Sequence, residues 1–421
     1  MRDIATGRRP ERAIVAALRV GGERRWQVDE SLDELTALVH AAGGVVVERI
    51  VQERDAPTPS LYFGRGKVGE IGEMARRLGA NLFVSDDALS PVQERNLARI
   101  LGLKVIDRTA VILDIFAQRA RTSEGKLQVE LAQLTYLMPR LVGQWKHLER
   151  LGGGIGTRGP GETQLESDRR VIRTRVRQIT RELERVRVHR RVQRGGRRRA
   201  GLPVVALVGY TNAGKTTLLN RLTGSALNAA DQLFVTLDPA ARRVNGVGQP
   251  SFILTDTVGF IRKLPHELVA AFRATLEELA EADVLLHVVD ASHPQLDEHM
   301  SAVEALLREL DAAERPRLVV LNKLDCLDDP ELAAGLSRRR GGVAVSARTG
   351  EGVEELLTAI RVRLPRAARF VTLRIPHGAG AALASCYSRG RVLARSDEPH
   401  HVRVEVELPF DALGSLEAYR I

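Results

Sequence analysis

The stretch GYTNAGKTT, from Gly209 to Thr217, decides the fold of the central part of this chain. It follows the apolar run PVVALV and leads into KTTLLNRL, which has the apolar spacing of a helix. A strand, a glycine-rich loop and a helix in this order are the context in which G-x-x-x-x-G-K-[ST] binds phosphate. Backbone N–H groups from Asn212 to Thr216 can then converge on a β-phosphate, and the helix dipole adds attraction. The stretch therefore predicts a nucleotide site at the end of a parallel strand.

A second motif, DTVGF, begins at Asp256 at the end of the apolar run SFILT. Asp256 fits the carboxylate that holds a magnesium shell through water, and the N–H of Gly259 fits a sensor of the γ-phosphate. The intervening stretch NAADQLFVTLDP places Thr236 where it can close over Mg²⁺ and the γ-phosphate. We predict that Lys215, Thr236 and Gly259 are catalytic, with Lys215 bridging the β- and γ-phosphates. The predicted Mg²⁺ site consists of Thr216, Thr236 and, through water, Asp256.

Two further motifs predict that the base is guanine. NKLD, from Asn322 to Asp325, follows the apolar run RLVVL. A carboxylate there accepts both N1–H and the exocyclic amino group of guanine, which adenine does not offer, so Asp325 should select GTP over ATP. Asn322 should brace the loop and approach the base, while the stem of Lys323 covers its face. In SAR, residues 346–348, the N–H of Ala347 can donate to the guanine carbonyl oxygen.

Four ordered motifs at strand ends therefore predict a GTP/GDP site with Mg²⁺ as cofactor and GTP hydrolysis as the reaction. The predicted nucleotide-binding residues are Gly209, Tyr210, Thr211, Asn212, Ala213, Gly214, Lys215, Thr216, Thr217, Phe234, Val235, Thr236, Leu237, Asp238, Asp256, Thr257, Val258, Gly259, Asn322, Lys323, Asp325, Ser346, Ala347 and Arg348.

Phe260 stands where many Ras-like GTPases have the glutamine that orients the attacking water. A phenylalanine side chain cannot orient water, and no arginine finger can be assigned. We expect slow intrinsic hydrolysis that needs a partner to order the switch segments. The alternative is that the Phe260 side chain turns away and another group positions the water.

Apolar runs around these motifs predict the GTPase domain over residues 201–365. PVVALVG, SFILTDTVG, DVLLHVVD, RLVVLNKLD and GVAVSA are continuous, as expected for parallel strands buried on both faces. Residues 1–115 alternate strands (AIVAALRV, GVVVERIV, ANLFVSDD, LKVIDR) with glycine-closed helices, which predicts a smaller α/β domain with a parallel sheet. Within it, FGRGKVGEI is either an anion site at a helix N-terminus or a plain loop. Residues 366–421 predict a small α+β domain.

Residues 116–200 predict an antiparallel helical hairpin, because two apolar stripes at helical spacing flank GGGIGTRGPGE at 152–162. Pro139 should kink or break the first helix. The second helix has fourteen arginines between Arg169 and Arg199 against Glu182 and Glu184. We favour a stem that binds a polyanion over a merely solvated face, because the charge is so one-sided. The glycine-rich loop is then either a linker or a tip that touches a partner.

Composition limits the class of protein. The formal net charge of +10 favours a polyanionic partner, nucleic acid first. Only Cys326 and Cys386 occur, which predicts neither a disulfide framework nor a cysteine-based metal site. No apolar run is long enough to span a membrane, and the first residues lack the apolar core of a secretory signal. We expect a cytoplasmic monomer without a membrane span.

Taken together, GGGIGTRGPGE before an arginine-rich helix, GYTNAGKTT, FVTLD, DTVGFI, NKLD and SAR resemble the HflX translational GTPases, and YFGRGKVGE extends the resemblance to nearly the whole chain. The resemblance implies a cytoplasmic factor that binds the large ribosomal subunit and dissociates stalled or idle ribosomes into subunits. It implies that the hairpin tip reaches ribosomal RNA, where the glycines allow close approach and Arg158 meets phosphate. The RNA-contact residues so implied are Gly153, Gly154, Ile155, Gly156, Thr157, Arg158 and Gly159.

Two other functions remain open from the sequence. One is a GTPase that acts in ribosome assembly or RNA remodelling, with an immature particle as its partner. The other is a nucleotide-gated RNA-binding module with little turnover, which Phe260 keeps open.

Overall fold

The computed structural model describes residues 10–149, 160–199, 202–225, 233–237, 240–246, 249–327, 335, 337–364 and 368–421. The chain divides into two units, each assembled from several segments. The first unit contains Met1–Leu183, Ala230–Asp238 and Ile261–Phe272, and the second contains Glu184–Ala229, Pro239–Phe260 and Arg273–Ile421.

The first unit contains a four-stranded sheet of order β2-β1-β3-β4, in which every neighbouring pair is parallel. Its central strand β1 is buried along most of its length, as expected for a sheet covered on both faces. The strands are β1 Arg12–Val20, β2 Val45–Arg54, β3 Leu82–Ser85 and β4 Lys104–Asp107. The helices are α1 Arg25–Ala41, α2 Arg65–Leu78, α3 Pro91–Leu101 and α4 Arg108–Arg119. The predicted parallel α/β fold of this region is confirmed.

Helix boundaries in this unit follow local sequence signals. The Ser90 hydroxyl accepts from the Gln93 N–H at 3.3 Å, and Pro91 follows at the first helical position of α3. Gly102 closes that helix in the left-handed conformation. Asp107 caps α4 by accepting from the Ala110 N–H at 3.0 Å. At α2, the N-cap Gly64 donates its N–H to Gln52 Oε1 at 2.8 Å.

Two long helices follow, α5 Ser123–Glu149 and α6 Pro160–Arg199. Arg175 of α6 makes a two-pronged ion pair with Glu130 of α5, at 2.6 and 2.7 Å. Pro139 was expected to kink or break this helix; the break is wrong, because α5 continues through the proline, and the kink stays a prediction. Contacts on either side of the proline stabilise this stretch: Tyr136 and Arg140 both bond to the carboxylate of Asp107.

The second unit contains a six-stranded sheet of order β10-β9-β8-β5-β7-β6. Five of its strands are parallel to one another, as predicted: β5 Val204–Val208, β7 Gln249–Asp256, β8 Val284–Asp290, β9 Arg317–Asn322 and β10 Val343–Ala344. The edge strand β6, Ala240–Gly246, is antiparallel to β7 and was not predicted. The helices of this region are α7 Lys215–Thr223, α8 His266–Glu281, α9 Leu296–Glu309 and α10 Val353–Arg363, and α8 is shared between the two units.

The C-terminal part of the second unit is an antiparallel sheet of order β11-β13-β12. Its elements are β11 Ala368–Pro376, α11 Gly380–Arg389, β12 Arg391–Asp397, β13 His401–Pro409 and α12 Phe410–Leu413. The predicted α+β character is observed here. Across the described residues, every helix is too short or too polar to cross a bilayer.

Candidate nucleotide site

The loop from Gly209 to Thr217 joins β5 to α7, and at Gly214 it leaves no room for a side chain. Gly214 has φ of +89°, and a Cβ there would lie 2.2 Å from Nδ2 of Asn322. The backbone can therefore approach Asn322 closely and then enter the helix with its N–H groups exposed at the turn. This is the geometry expected of the predicted phosphate-binding loop.

Lys215 is 6% exposed and turns its ammonium back onto this loop. Its Nζ donates to the carbonyls of Gly209 at 3.0 Å and Tyr210 at 2.8 Å. Burial lowers the pKa of Lys215 to about 8, and the charge of Asp256 opposes the shift only partly. A buried cation held mainly by neutral carbonyls is well suited to receive an anionic oxygen.

The structure brings Thr216 and Asp256 into contact, although they lie on different elements. The Thr216 hydroxyl donates to Oδ2 of Asp256 at 2.7 Å, and Oδ1 of Asp256 accepts from the Thr257 N–H at 3.0 Å. Asp256 is fully buried at the carboxyl end of β7. A hydroxyl and a carboxylate side by side are the hard oxygen donors that suit Mg²⁺.

The segment after Asp256 is paired with the phosphate-binding loop through its backbone. Phe260 donates its N–H to the Gly209 carbonyl at 3.1 Å and accepts from the Thr211 N–H at 2.7 Å. A Cβ on Gly259 would lie 2.9 Å from Cα of Thr211 and 3.2 Å from Nζ of Lys215. Gly259 is therefore held against the loop, and any larger side chain would push the two apart.

The Phe260 side chain is buried, at 2% exposure. Its backbone N–H and carbonyl are both used by the loop. Phe260 therefore has no polar group available to orient a water, which agrees with the expectation from its residue type.

Asn322 connects two of the predicted motifs. Its Nδ2 donates to the Ala213 carbonyl at 2.8 Å, and its Oδ1 accepts from the Ala347 N–H at 2.9 Å. At 2% exposure, it is a buried cross-brace between the phosphate-binding loop and the SAR loop. The Ala347 N–H, predicted to meet guanine, is thus already bonded to Asn322 in this structure.

Asp325 lies beside Ser346 and Arg348, so the NKLD and SAR motifs meet. Its Oδ1 accepts from the Ser346 hydroxyl, and its Oδ2 lies 2.5 Å from Nη2 of Arg348. The hydrogen bond from Ser346, ahead of the charge of Arg348, lowers the pKa of Asp325 and keeps it ionised.

Thr217 lies in α7 and Val258 is buried in the segment after Asp256. Phe234, Val235, Thr236 and Leu237 lie in the segment 233–237, which belongs to the first unit. Asp238 and the predicted RNA-contact residues at 153–159 lie outside the described residues.

Three contributors were missed from the sequence. Arg221 of α7 donates from Nε to the Ala347 carbonyl at 3.2 Å and from Nη2 to that of Arg348, so it supports the SAR loop. Asp290 pairs with Nζ of Lys323 at 2.7 Å, and its position at the end of an apolar run was a usable signal. The imidazole of His299 stacks on the ring of Tyr210 at 3.8 Å, a contact without a local sequence signal.

Comparison with known proteins places these motifs in a family. Family profiles described as GTP-binding GTPase N-terminal, GTP-binding GTPase Middle Region and 50S ribosome-binding GTPase match residues 29–117, 119–197 and 204–323. The GTPase HflX of Escherichia coli (strain K12) is 49% identical over 383 residues, which covers 90% of each chain. The chain belongs to the HflX family of GTPases. This HflX-family protein therefore binds guanine nucleotides and hydrolyses GTP.

The chain is also similar to a second HflX protein and to one solved structure. The GTPase HflX of Lacrimispora saccharolytica is 45% identical over 406 residues, covering 96% of this chain and 95% of its own. A crystal structure of SsGBP with GDP has a TM-score of 0.49 at 25% identity, and the match covers 84% of this chain and 99% of that one.

Proposed function

We propose that this GTPase binds the large ribosomal subunit and dissociates stalled or idle ribosomes into subunits in the cytoplasm, acting as a monomer. The observation that carries the proposal is the combination of the matched GTPase domain with the arginine-rich helix α6. The profile that matches residues 204–323 is described as a 50S ribosome-binding GTPase. A one-sided run of arginines on a long helix is suited to RNA phosphates.

In this proposal the hairpin brings residues 153–159 to ribosomal RNA, and the GTPase domain controls the duration of that contact. Glycines allow backbone to approach RNA closely, and Arg158 supplies a charge for phosphate. The Arg175–Glu130 ion pair joins the two helices of the hairpin and so supports the presentation of its tip.

The nucleotide chemistry is assigned to residues of the four motifs. Lys215 binds the β- and γ-phosphates, and the backbone from Asn212 to Thr216 surrounds the β-phosphate. Asp325 reads the guanine edge, and Lys323 covers the base. Ala347 donates to the base only after sharing or releasing its bond to Asn322.

Mg²⁺ is proposed at the Thr216 hydroxyl and, through water, at Asp256, with Thr236 joining when triphosphate binds. The ion would neutralise charge on the phosphate oxygens. The Gly259 N–H would donate to the γ-phosphate, and its position depends on the pairing of Phe260 with the loop.

Hydrolysis by this site alone should be slow, because the Phe260 position offers no water-orienting group. We therefore expect the ribosomal particle to complete the arrangement. The decisive measurement is GTP turnover by the purified protein with and without large ribosomal subunits, combined with sedimentation of intact ribosomes incubated with protein and GTP.

Stimulated turnover and a shift of particles to free subunits are the expected results. A chain lacking residues 152–161 is the matched variant, since it should keep its nucleotide affinity and lose splitting. Splitting by that variant would show that the loop is only a linker. Co-sedimentation with precursor particles but not with mature subunits would replace the proposal with a role in ribosome assembly.

A further inference from the structure

Two buried carboxylates lie side by side at one edge of the N-terminal sheet. Asp86 follows β3, Asp107 ends β4, and Ser85 and Asp107 are paired across these strands. Each aspartate is 1% exposed. The carboxyl edge of a parallel sheet is where α/β proteins usually bind ligands. In this protein the edge is filled by the chain's own side chains, which come from two distant segments.

The carboxylate of Asp107 accepts hydrogen bonds from two side chains of α5, the first helix of the predicted hairpin. Its Oδ1 accepts from the Tyr136 hydroxyl at 2.9 Å, and its Oδ2 accepts from Nη2 of Arg140 at 3.1 Å. Arg140 also pairs with Glu94 at 2.9 Å and bonds to the Leu89 carbonyl at 3.0 Å. Helix α5 is therefore anchored to this edge by two buried or half-buried polar side chains.

The carboxylate of Asp86 forms an ion pair with Lys263, which lies in the segment after Gly259. Lys263 places Nζ 2.5 Å from Oδ2 of Asp86 and 2.5 Å from Oδ1 of Asp87. Burial disfavours the charge on Lys263, but these two carboxylates outweigh it and raise its pKa. Lys263 also has φ of +53°, a left-handed conformation that a non-glycine residue keeps only when its surroundings hold it. The neighbouring Arg262 pairs with Glu30 at 3.0 Å.

Arg108 connects the two aspartates, because it is the next residue after Asp107 and its side chain bonds to Asp86. It is 2% exposed and donates from Nε and Nη2 to Oδ1 of Asp86 at 3.1 and 2.5 Å. The other oxygen of Asp86 accepts from Ser31 at 2.7 Å as well as from Lys263. Because Asp86 is buried, withdrawing Lys263 would leave this carboxylate with Arg108 and Ser31 alone, so the positions of Arg108 and Lys263 are coupled through the charge that they share.

Helix α4 provides a second connection to the same segments. It starts at Asp107 and Arg108, and its Phe116 ring contacts two rings edge to face. Phe234, in the segment 233–237, lies 4.8 Å away between ring centroids, and Phe272, at the end of 261–272, lies 5.2 Å away. A shift of α4 would therefore displace the segment 233–237, which carries Thr236, and the segment 261–272, which follows Gly259 in the chain.

We propose that this carboxylate edge, formed by Asp86, Asp107 and Arg108, transmits engagement of the hairpin to the segment 261–272 and thereby regulates GTP hydrolysis. Lys263 lies shortly after Gly259 along the chain, so a displacement of Lys263 reaches the γ-phosphate sensor through the backbone. The inference rests on the proposed function, because the stimulus is the large ribosomal subunit at the hairpin.

The test uses Tyr136→Phe, which removes only the hydroxyl that bonds to Asp107. Thr135→Ala is the matched control, since the Thr135 hydroxyl bonds within the helix, to the Leu131 carbonyl. We expect Tyr136→Phe to keep intrinsic turnover and particle binding but to lose about tenfold in stimulation by large subunits, a typical size for coupling between sites. Thr135→Ala should be stimulated like the parent.

A second measurement needs no ribosome. Amide hydrogen exchange over 261–272 should rise by about threefold or more in Tyr136→Phe and stay unchanged in Thr135→Ala, because the anchor of Lys263 is loosened only in the former. Lys263→Met should raise the exchange rate in the same segment, whereas Lys263→Arg keeps the charge and should exchange at the rate of the parent.

The outcomes separate the two proposals. Absence of stimulation in the parent protein overturns the proposed ribosome function. The exchange experiment still tests the coupling between the hairpin and the segment 261–272. Unchanged exchange at 261–272 in Tyr136→Phe overturns this coupling. A loss of stimulation that merely follows a loss of particle binding overturns it as well, because Tyr136 would then support binding rather than transmission.

Discussion

Replacing His287 should reduce by about 2 kcal/mol the unfolding free energy that the second unit loses between pH 8 and pH 5. His287 lies in the middle of the sheet, on β8 between Val208 of β5 and Val319 of β9, and is 1% exposed. Its Nδ1 has no hydrogen-bond partner among the described residues. Burial, followed by the charges of Arg317 and Lys215, lowers its pKa from 6.5 to about 3.

The direction in which stability changes with pH follows from the pKa values of His287 in the folded and unfolded chains. Above pH 6.5 the imidazole is neutral in the folded and unfolded chains, and its contribution to stability does not change with pH. As the pH falls toward 3, the unfolded chain takes up a proton and the folded chain does not, so stability is lost. Between pH 8 and pH 5 this loss amounts to about 2 kcal/mol.

The assay is urea unfolding of the full-length parent and His287→Gln at pH 8 and pH 5, followed by circular dichroism. Fluorescence is unsuitable because both tryptophans, Trp26 and Trp145, lie outside the second unit. The pH-dependent loss of unfolding free energy should be smaller by about 2 kcal/mol in the variant. His287→Leu should behave alike, whereas His400→Gln, at an exposed site, should match the parent. Equal pH dependence of parent and both His287 variants would refute the reasoning.

Three further changes test the nucleotide site and the hairpin. Asp325→Asn should weaken GTP binding by about 100-fold and improve binding of xanthine nucleotides, measured by displacement of a fluorescent nucleotide; unchanged GTP affinity would contradict the guanine assignment. Gly214→Ala should lower GDP affinity by about tenfold or more in the same assay, because its Cβ would lie 2.2 Å from Nδ2 of Asn322. Reversing the charge of Arg173, Arg177 and Arg181 should weaken RNA binding and flatten its salt dependence by up to about three units of slope, with nucleotide affinity as the control.

The sequence predicted most strands because their signal is local. Continuous apolar runs ending in polar residues located β5 and β7–β10, and the motifs at their ends come together as expected, with Thr216 against Asp256. Strand β6 was missed because AARRVNG lacks such a run and forms an edge. Of the kink or break expected at Pro139, the break does not occur, and Tyr136 and Arg140 on either side of the proline are anchored to Asp107, a residue distant in the chain.

Contacts between distant charges had no signal in the sequence at all. Lys263 and Asp86 are 177 positions apart, and each reads alone as an ordinary surface residue. The brace by Asn322 was expected, but the bond that occupies the Ala347 N–H was not. Such pairings depend on which loops the tertiary fold brings together, and local pattern does not encode that.

The pairing of Asp325 with Arg348 has a consequence for nucleotide affinity. Guanine must take up the carboxylate oxygens that Ser346 and Arg348 now occupy, so the base and the Arg348 guanidinium compete for one partner. The Asp325 side chain is 10% exposed, but the Arg348 side chain is 72% exposed, so solvent screens the pair from the arginine side. A pair screened in this way is worth about 1 kcal/mol, so the competition amounts to about fivefold. Arg348→Ala should therefore bind GDP up to about fivefold more tightly, mainly through slower release, while Arg348→Lys stays near the parent. Weaker binding by Arg348→Ala would mean that the arginine holds the nucleotide and does not compete with it.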